Sequence, residues 1–151
     1  MISRAWRVCE SSYPVLRPHA RGQQGKGRRV PVGSSISIID DDESMRRAIV
    51  ALVRSAGYEA QGFASAEDFL GSGIVQDFAC IITDIQMIGM SGIELKEHLA
   101  ASQNPVPVIM ITARHDPGLE EKAIESGAAC FLRKPFDADV LIHCLERALT
   151  P

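Results

Sequence analysis

The stretch CIITDIQMIGMSG, residues 80–92, places one carboxylate, Asp84, between an apolar run and a loop that contains glycine. The apolar run does not alternate with polar residues, which is typical of a short strand buried on both faces of a parallel sheet. Such a strand would carry Asp84 at its carboxyl end, and open α/β sheets bind ligands outside that edge. The stretch therefore predicts both a buried strand and a candidate functional site at its end.

Three further apolar runs end in residues that could take part in chemistry at the same edge of the sheet. These residues are Asp40, Asp41 and Asp42 after residues 36–39, Thr112 after residues 108–111, and Lys134 after residues 129–132. Taken alone, the acid cluster has a simpler interpretation as a solvated helix start, where acids suit the helix dipole. Together with Asp84, the hydroxyl and the lysine, it predicts a phosphoryl acceptor that depends on Mg²⁺, a cation that prefers oxygen ligands.

Helical patterns separate these runs, and each has an end signal in the sequence. The helices are predicted at residues 43–56 before Gly57, from residue 66 after a capping box of Ser65 and Asp68, at 91–102, at 117–126 between Asp116 and Gly127, and from 138 after Asp137. A further strand is predicted at residues 58–63. Alternating strands and helices predict an α/β fold, with a parallel sheet and helices on both of its faces.

The net charge of −3 conceals two segments of opposite sign. Residues 1–35 hold seven basic residues and one acid, a net charge of +6, and residues 36–151 hold nine basic and eighteen acidic residues, a net charge of −9. An acidic domain repels nucleic acid, so we expect no direct nucleic-acid binding by this chain. No apolar stretch approaches the roughly 20 residues that a membrane helix needs, so we expect no membrane association.

The first 34 residues show no hydrophobic period and are rich in Gly, Pro, Arg and Ser. We predict that residues 1–34 form a disordered basic extension and that residues 35–150 form one domain. Three interpretations of the extension stay open: a tail without function or a misplaced start codon, a basic patch for an acidic partner, and a targeting peptide. The four cysteines have no C-x-x-C spacing, and Cys80, Cys130 and Cys144 are interpreted as small buried hydrophobic residues in a reducing cytoplasm.

Four segments in this order resemble the receiver domains of two-component response regulators: IIDDDES, IITDIQMIGMSG, VIMITA and FLRKPF. The resemblance covers roughly residues 35–149, and the segment DADVLIHCLERAL is most similar to the FixJ-type subgroup. It implies a flavodoxin-like, doubly wound sheet of five parallel strands in the order 2-1-3-4-5, with five helices. It also implies a phosphorylation switch rather than an enzyme with a separate substrate.

The resemblance implies a role for each of the residues at the sheet edge. Asp84 accepts the phosphoryl group from a histidine kinase or a phosphotransfer protein. Asp41 and Asp84 bind Mg²⁺ directly, Asp40 binds it through water, and the backbone carbonyl of Gln86 is a further ligand. Lys134, before a cis bond to Pro135, contacts Asp84 and later the phosphoryl group.

The resemblance also implies how the signal would leave the site. Thr112 binds a phosphoryl oxygen and moves, and the ring of Phe131 then turns inward, which alters the surface of the fourth helix, fifth strand and fifth helix. The alternative for Phe131 is plain core packing. This surface would act on an output protein or domain, and a phosphorylation-dependent homodimer is a further possibility. The first helix, with Arg46 and Arg47, is the implied kinase-facing surface, or else an ordinary solvated face.

Two residues flank the implied path of the hydrolytic water, Gln86 and Arg114. Gln86 can hydrogen-bond water but is not a base, and a guanidinium over the phosphoryl group would shield it, so we expect slow dephosphorylation. The alternative is that Arg114 points into solvent. The chain departs from the family pattern at Ile88, where receivers usually have a proline that fixes φ in this loop.

Three other functions compete with the phosphorylation switch. A phosphohydrolase of the haloacid dehalogenase class would need a second Asp two residues after the nucleophile, where this chain has Gln86. A binding module that is never phosphorylated would not need the full residue set. The alternative kept open is the receiver fragment of a FixJ-type transcription factor whose helix-turn-helix domain is absent from this chain, and the length of the natural gene product would decide it.

Overall fold

The structure, a computed structural model, describes residues 34–150. The strands are β1 (Ser35–Ile39), β2 (Glu59–Phe63), β3 (Cys80–Asp84), β4 (Val108–Thr112) and β5 (Cys130–Arg133). The helices are α1 (Glu43–Ser55), α2 (Ala66–Gly71), α3 (Gly92–Ala101), α4 (Pro117–Ser126) and α5 (Ala138–Leu149), and a 3₁₀ helix that the sequence did not predict spans Val75–Asp77. The predicted extension at residues 1–34 lies, apart from Ser34, outside the described residues.

All strand pairs are parallel, and the five strands form one sheet in the order β2-β1-β3-β4-β5. This confirms the predicted doubly wound fold. The order places β1 and β3 side by side at the centre, so that the residues following β1 lie beside the end of β3. β1, the first strand of the described residues, thereby meets the strand that carries Asp84.

The sheet is buried on both faces, as its apolar strands predicted. On one face it packs against α1 and α5, which contribute Ile49, Val53, Leu141 and Leu145 to the core. On the other face it packs against α2, α3 and α4, which contribute Phe69, Leu95, Leu99 and Ala123. Alternate residues of β4 serve the two cores, since Met110 belongs to one and Ile109 to the other. Burial on both faces holds the strands, and therefore their carboxyl ends, in a fixed arrangement.

Most of the predicted helix ends are confirmed. Gly57 and Gly127 follow α1 and α4 with φ of 101° and 96°, a left-handed backbone that glycine adopts without strain. The Asp116 carboxylate accepts a hydrogen bond from the Gly118 amide at 2.9 Å at the start of α4. Asp137 precedes α5 as predicted, but its side chain makes no capping hydrogen bond.

The cysteines correct one interpretation. Cys130 of β5 and Cys144 of α5 are both buried, and the structure joins them in a disulfide, so this pair is not a set of separate free thiols. Cys80 is free and fully buried, and burial raises the pKa of its thiol to about 12. The packing interpretation therefore applies to Cys80. Within residues 34–150, no helix combines the length and the apolar character required to cross a membrane.

Candidate functional site

Three carboxylates meet at the carboxyl edge of the sheet. Asp40 and Asp41 follow β1, Asp84 ends β3, and one carboxylate oxygen from each lies within 4.8 Å of the others. Asp40 is 2% exposed, whereas Asp41 is exposed, so the cluster is buried on one side and open on the other. An all-oxygen donor set that is open to solvent on one side fits the chemistry of a hard divalent cation.

Lys134 lies beside Asp40 and Asp84, the two less exposed members of this cluster. Its Nζ lies 3.4 Å from Asp40 Oδ2 and 3.9 Å from Asp84 Oδ1. Its backbone amide donates to the Thr112 carbonyl at 2.8 Å, which ties the start of the following turn to the end of β4. The bond from Lys134 to Pro135 is cis, as the family resemblance implied.

Asp40 already has partners for both of its carboxylate oxygens. Oδ1 accepts a hydrogen bond from the Asp42 amide at 2.9 Å, and Oδ2 accepts one from Lys134. Its carbonyl accepts from the Arg46 guanidinium at 2.8 Å. A carboxylate held in this way is oriented by the protein and has fewer free lone pairs.

Asp42 belongs to the helix and not to the carboxylate cluster. Its Oδ1 accepts hydrogen bonds from the amides of Ser44 and Met45 at 3.0 and 3.2 Å, so it caps the first turn of α1. The solvated helix start that was the simpler interpretation of the whole acid cluster therefore describes this one residue.

Burial raises the pKa of the Asp84 carboxyl to about 6. Lys134 opposes this increase, and the negative charges of Asp40 and Asp41 add to it. Three acids are therefore gathered around a single lysine, which leaves an excess of negative charge. A divalent cation bound there would reverse the repulsion between the carboxylates.

This raised pKa predicts that Asp84→Asn stabilises the metal-free protein at neutral pH. The pKa of Asp84 is about 6 in the folded chain, against an ordinary value of 3.8. Because this pKa is raised in the folded chain, the protonated Asp84 carboxyl stabilises the fold below about pH 4. This stabilisation is lost as the pH rises through about 6. The amide does not ionise, so the variant should gain about 1–2 kcal/mol at pH 7.5, a value reduced for solvent screening.

Urea unfolding with a chelator present would measure this difference between pH 4 and pH 8. The advantage of the variant should shrink as the pH falls through about 6. A difference in unfolding free energy that stays constant with pH would show that Asp84 does not titrate in this range.

Thr112 and Phe131 lie on the neighbouring strands β4 and β5. Thr112 is fully buried, and its Oγ1 accepts a hydrogen bond from the Arg114 amide at 3.0 Å. The ring of Phe131 is 1% exposed and belongs to the core that packs against α2, α3 and α4. The ring is thus already inside in this structure, which agrees with core packing. Its inward rotation on phosphorylation stays a prediction.

A groove of about 980 Å³ opens beside the cluster, between α3 and α4. Asp41, Gln86 and Arg114 all line it, so the two residues predicted to flank the hydrolytic water share one surface with the candidate cation site. Arg114 is exposed, and solvent contact was the alternative interpretation of this residue. The structure places its side chain both in solvent and along the groove.

The loop between β3 and α3 contains contacts that sequence reasoning missed. The Ile88 amide donates to Asp41 Oδ2 at 3.3 Å, and the Met90 amide donates to Glu67 Oε2 at 2.9 Å. The loop ends at Gly92, where an added Cβ would lie 2.7 Å from the Asp84 carbonyl oxygen. Only glycine allows the start of α3 to approach the strand end so closely.

Comparison with known proteins identifies the family. The sequence model of the response regulator receiver domain matches residues 36–146, and the chain therefore belongs to this family. It is similar to the transcriptional regulatory protein FixJ of Bradyrhizobium diazoefficiens, with 38% identity over 114 residues that cover 76% of this chain and 56% of FixJ. It is 37% identical over 120 residues to FixJ of Azorhizobium caulinodans, covering 80% of this chain and 57% of that protein.

Solved structures agree with this assignment. The crystal structure of FixJ-N has a TM-score of 0.70 and 32% identity, and the match covers 76% of this chain and 92% of FixJ-N. Full-length FixJ from B. japonicum has a TM-score of 0.72 and 36% identity, with 78% of this chain and 58% of FixJ covered. The predicted resemblance to receivers of the FixJ type is confirmed, and the chain spans just over half the length of the FixJ proteins it matches.

The chain is a receiver domain of the two-component response regulators, and receiver domains are signalling domains that interact with histidine kinases and output domains. Phosphoryl acceptance is a general property of this family. Receiver domains also generally use Mg²⁺ at an acidic pocket, and this chain has the corresponding cluster of aspartates.

Proposed function

We propose that this chain accepts a phosphoryl group on Asp84 from the phosphohistidine of a sensor kinase or phosphotransfer protein, in a reaction that requires Mg²⁺. The observation that carries the proposal is the grouping of Asp84, Asp41 and Lys134 around one open pocket. The Asp84 side chain is 11% exposed, so it is reachable from one direction only. A carboxylate that is mostly shielded from water and lies between a lysine and other acids is better suited to accept a phosphoryl group than a fully exposed acid is.

In the proposed reaction a carboxylate oxygen of Asp84 attacks phosphorus in line with the bond to the histidine nitrogen. The new bond is an acyl phosphate, and the electrons of the broken P–N bond stay on the imidazole. The protein contributes position and charge rather than covalent chemistry, as is usual in phosphoryl transfer. Lys134 supports the carboxylate before transfer and can bind a phosphoryl oxygen afterwards.

Asp41 and Asp84 would hold the cation directly, the Gln86 carbonyl would be a further ligand, and Asp40 would contact it through water. The partnered oxygens of Asp40 support this division of roles. When bound, Mg²⁺ would keep Asp84 ionised and offset the negative charge of the incoming phosphoryl group.

The proposed output is a change in the surface formed by α4, β5 and α5. Thr112 could turn its hydroxyl from the Arg114 amide to a phosphoryl oxygen, which would alter the packing beside Phe131. FixJ is a transcriptional regulatory protein, and this favours a DNA-binding output domain as the partner that the altered surface controls. Control of a separate output protein, or a phosphorylation-dependent homodimer, is the alternative for the same surface.

A proposed kinase contact lies on α1, close to the acidic cluster. Arg46 reaches back to the Asp40 carbonyl, whereas Arg47 is exposed and lies 3.7 Å from Glu43 of the same helix. An exposed pair of this kind contributes little to stability, so Arg47 is available to a partner.

Incubation with acetyl phosphate and Mg²⁺, followed by intact mass measurement, tests the proposed function. We expect one added phosphoryl group that is stable in acid and labile in base. No mass increase, with and without Mg²⁺, would contradict the proposal. The length of the natural gene product would separate a stand-alone receiver from the receiver of a longer transcription factor.

Arg114→Ala is expected to speed the loss of the phosphoryl group. The guanidinium lines the same groove as Gln86 and would restrict the approach of water to the acyl phosphate. An exposed ion pair contributes about 0.2–1 kcal/mol, so decay should be about 1.5- to 5-fold faster in the variant. Decay of the phosphorylated mass after removal of the donor measures this rate.

Arg147→Ala is a matched control for the loss of one positive charge, because Arg147 is exposed on the last turn of α5. It should decay at the wild-type rate. Equal rates in wild type and Arg114→Ala would mean that this side chain does not shield the site.

A further inference from the structure

The loop between β3 and α3 lies between two carboxylates that belong to other parts of the chain. Asp41, after β1, accepts from the Ile88 amide, and Glu67, in the first turn of α2, accepts from the Met90 amide. The second contact is shorter, at 2.9 Å against 3.3 Å. Hydrogen bonds to an ionised acceptor are stronger than neutral ones, so both can restrain the backbone.

Glu67 also lies against the glycine between these two amides. Gly89 has a φ of +87°, and a Cβ added there would lie 2.8 Å from Glu67 Oε2. The carboxylate therefore occupies the space that a side chain at this position would fill. Met90 packs against the core in addition, so the loop is held both by an apolar contact with that core and by a charged hydrogen bond to α2.

The side chain at the position of the usual proline gives no such support. Ile88 is 86% exposed, and unlike proline it leaves φ free to vary. The restraint at this residue is the hydrogen bond from its amide to Asp41, a carboxylate that the proposed function assigns to the cation. A restraint from outside the cation site is then needed to hold the loop.

We propose that Glu67 is a positioning residue for the cation site. It holds the β3–α3 loop, and with it the Gln86 carbonyl, in a chain that lacks the usual proline of this loop. The inference rests on the proposed function, because it concerns the same site. An acid in the first turn of a helix interacts favourably with the helix dipole, and this alone would account for Glu67. The inference gives Glu67 a second role.

Three variants separate this role from a general effect of charge. Glu67→Ala removes the acceptor, and Glu67→Gln keeps an oxygen acceptor without the charge. Asp68→Ala is the matched control, since Asp68 is exposed in the same helical turn and its backbone amide, not its side chain, donates to the Ser65 cap.

Two measurements are made on the full chain: the Mg²⁺ dissociation constant by calorimetry, and hydrogen exchange of the Met90 and Ile88 amides without metal. We expect Glu67→Ala to weaken Mg²⁺ binding about 3- to 10-fold and to speed exchange at Met90. Glu67→Gln should recover most of the affinity, and Asp68→Ala should resemble wild type.

Equal weakening in Glu67→Ala and Asp68→Ala would overturn the inference, because it would reduce the effect to long-range charge. Wild-type affinity in Glu67→Ala would also overturn it. Both outcomes leave the proposed function intact, since they presuppose a wild type that binds Mg²⁺. A wild type that binds no Mg²⁺ would instead contradict the proposed function itself.

Discussion

Asp84→Asn is expected to abolish phosphorylation by acetyl phosphate and Mg²⁺. The amide is neutral and is not a competent nucleophile toward phosphorus, and it also removes one of the three converging carboxylates. The shape of the side chain is retained, so the fold should persist. Intact mass measurement should show one added phosphoryl group in the wild type and none in the variant.

A matched control for this experiment is Asp77→Asn, which changes the same group in the 3₁₀ helix before β3, outside the carboxylate cluster. It should be labelled like the wild type. Undiminished labelling of Asp84→Asn would place the acceptor on another residue and would contradict the proposal at its centre.

Asp41→Ala is expected to weaken Mg²⁺ binding by at least about tenfold, or about 1.4 kcal/mol. Asp41 is the exposed member of the cluster, and its carboxylate accepts a hydrogen bond from the Ile88 amide. It can therefore bind a cation without losing a buried ion pair. Calorimetric titration of the metal-free chain with Mg²⁺ measures the change.

Asp42→Ser is the control for Asp41, because it removes the neighbouring carboxylate and keeps an oxygen that can cap α1. Its Mg²⁺ affinity should stay close to that of the wild type. A larger loss in Asp42→Ser than in Asp41→Ala would shift the assignment of the acidic pocket by one residue.

The strand ends could be predicted because a strand that is buried on both faces has a continuous apolar sequence. Unbroken apolar runs predicted Asp84, Thr112 and Lys134 at one edge of the sheet, and the sheet order confirmed that the strands carrying them are neighbours. Helix ends were predictable for a similar local reason, since Gly57 and Gly127 supply a backbone conformation that few residues adopt.

Contacts between distant segments are not marked by any such local pattern in the sequence. Glu67 and Met90 are 23 residues apart, and their hydrogen bond depends on how α2 is placed against the loop. In sequence, Glu67 is an ordinary acid of a first helical turn. Cys130 and Cys144 share no motif either, and only the packing of α5 on β5 brings them together. Pattern reasoning finds periodicity and turn chemistry, but it does not fix the distance between two elements.

The carboxylate cluster also has a thermodynamic consequence. Its members come from two strand ends, since Asp40 and Asp41 follow β1 and Asp84 ends β3, and α1, β2 and α2 lie between them in the sequence. An unfolded chain cannot bring these groups together, so a cation that binds them binds only the folded form. By linkage, free Mg²⁺ at ten times its dissociation constant would raise the free energy of unfolding by about 1.4 kcal/mol. Magnesium would then add to the stability of the folded chain, as well as permit Asp84 to react.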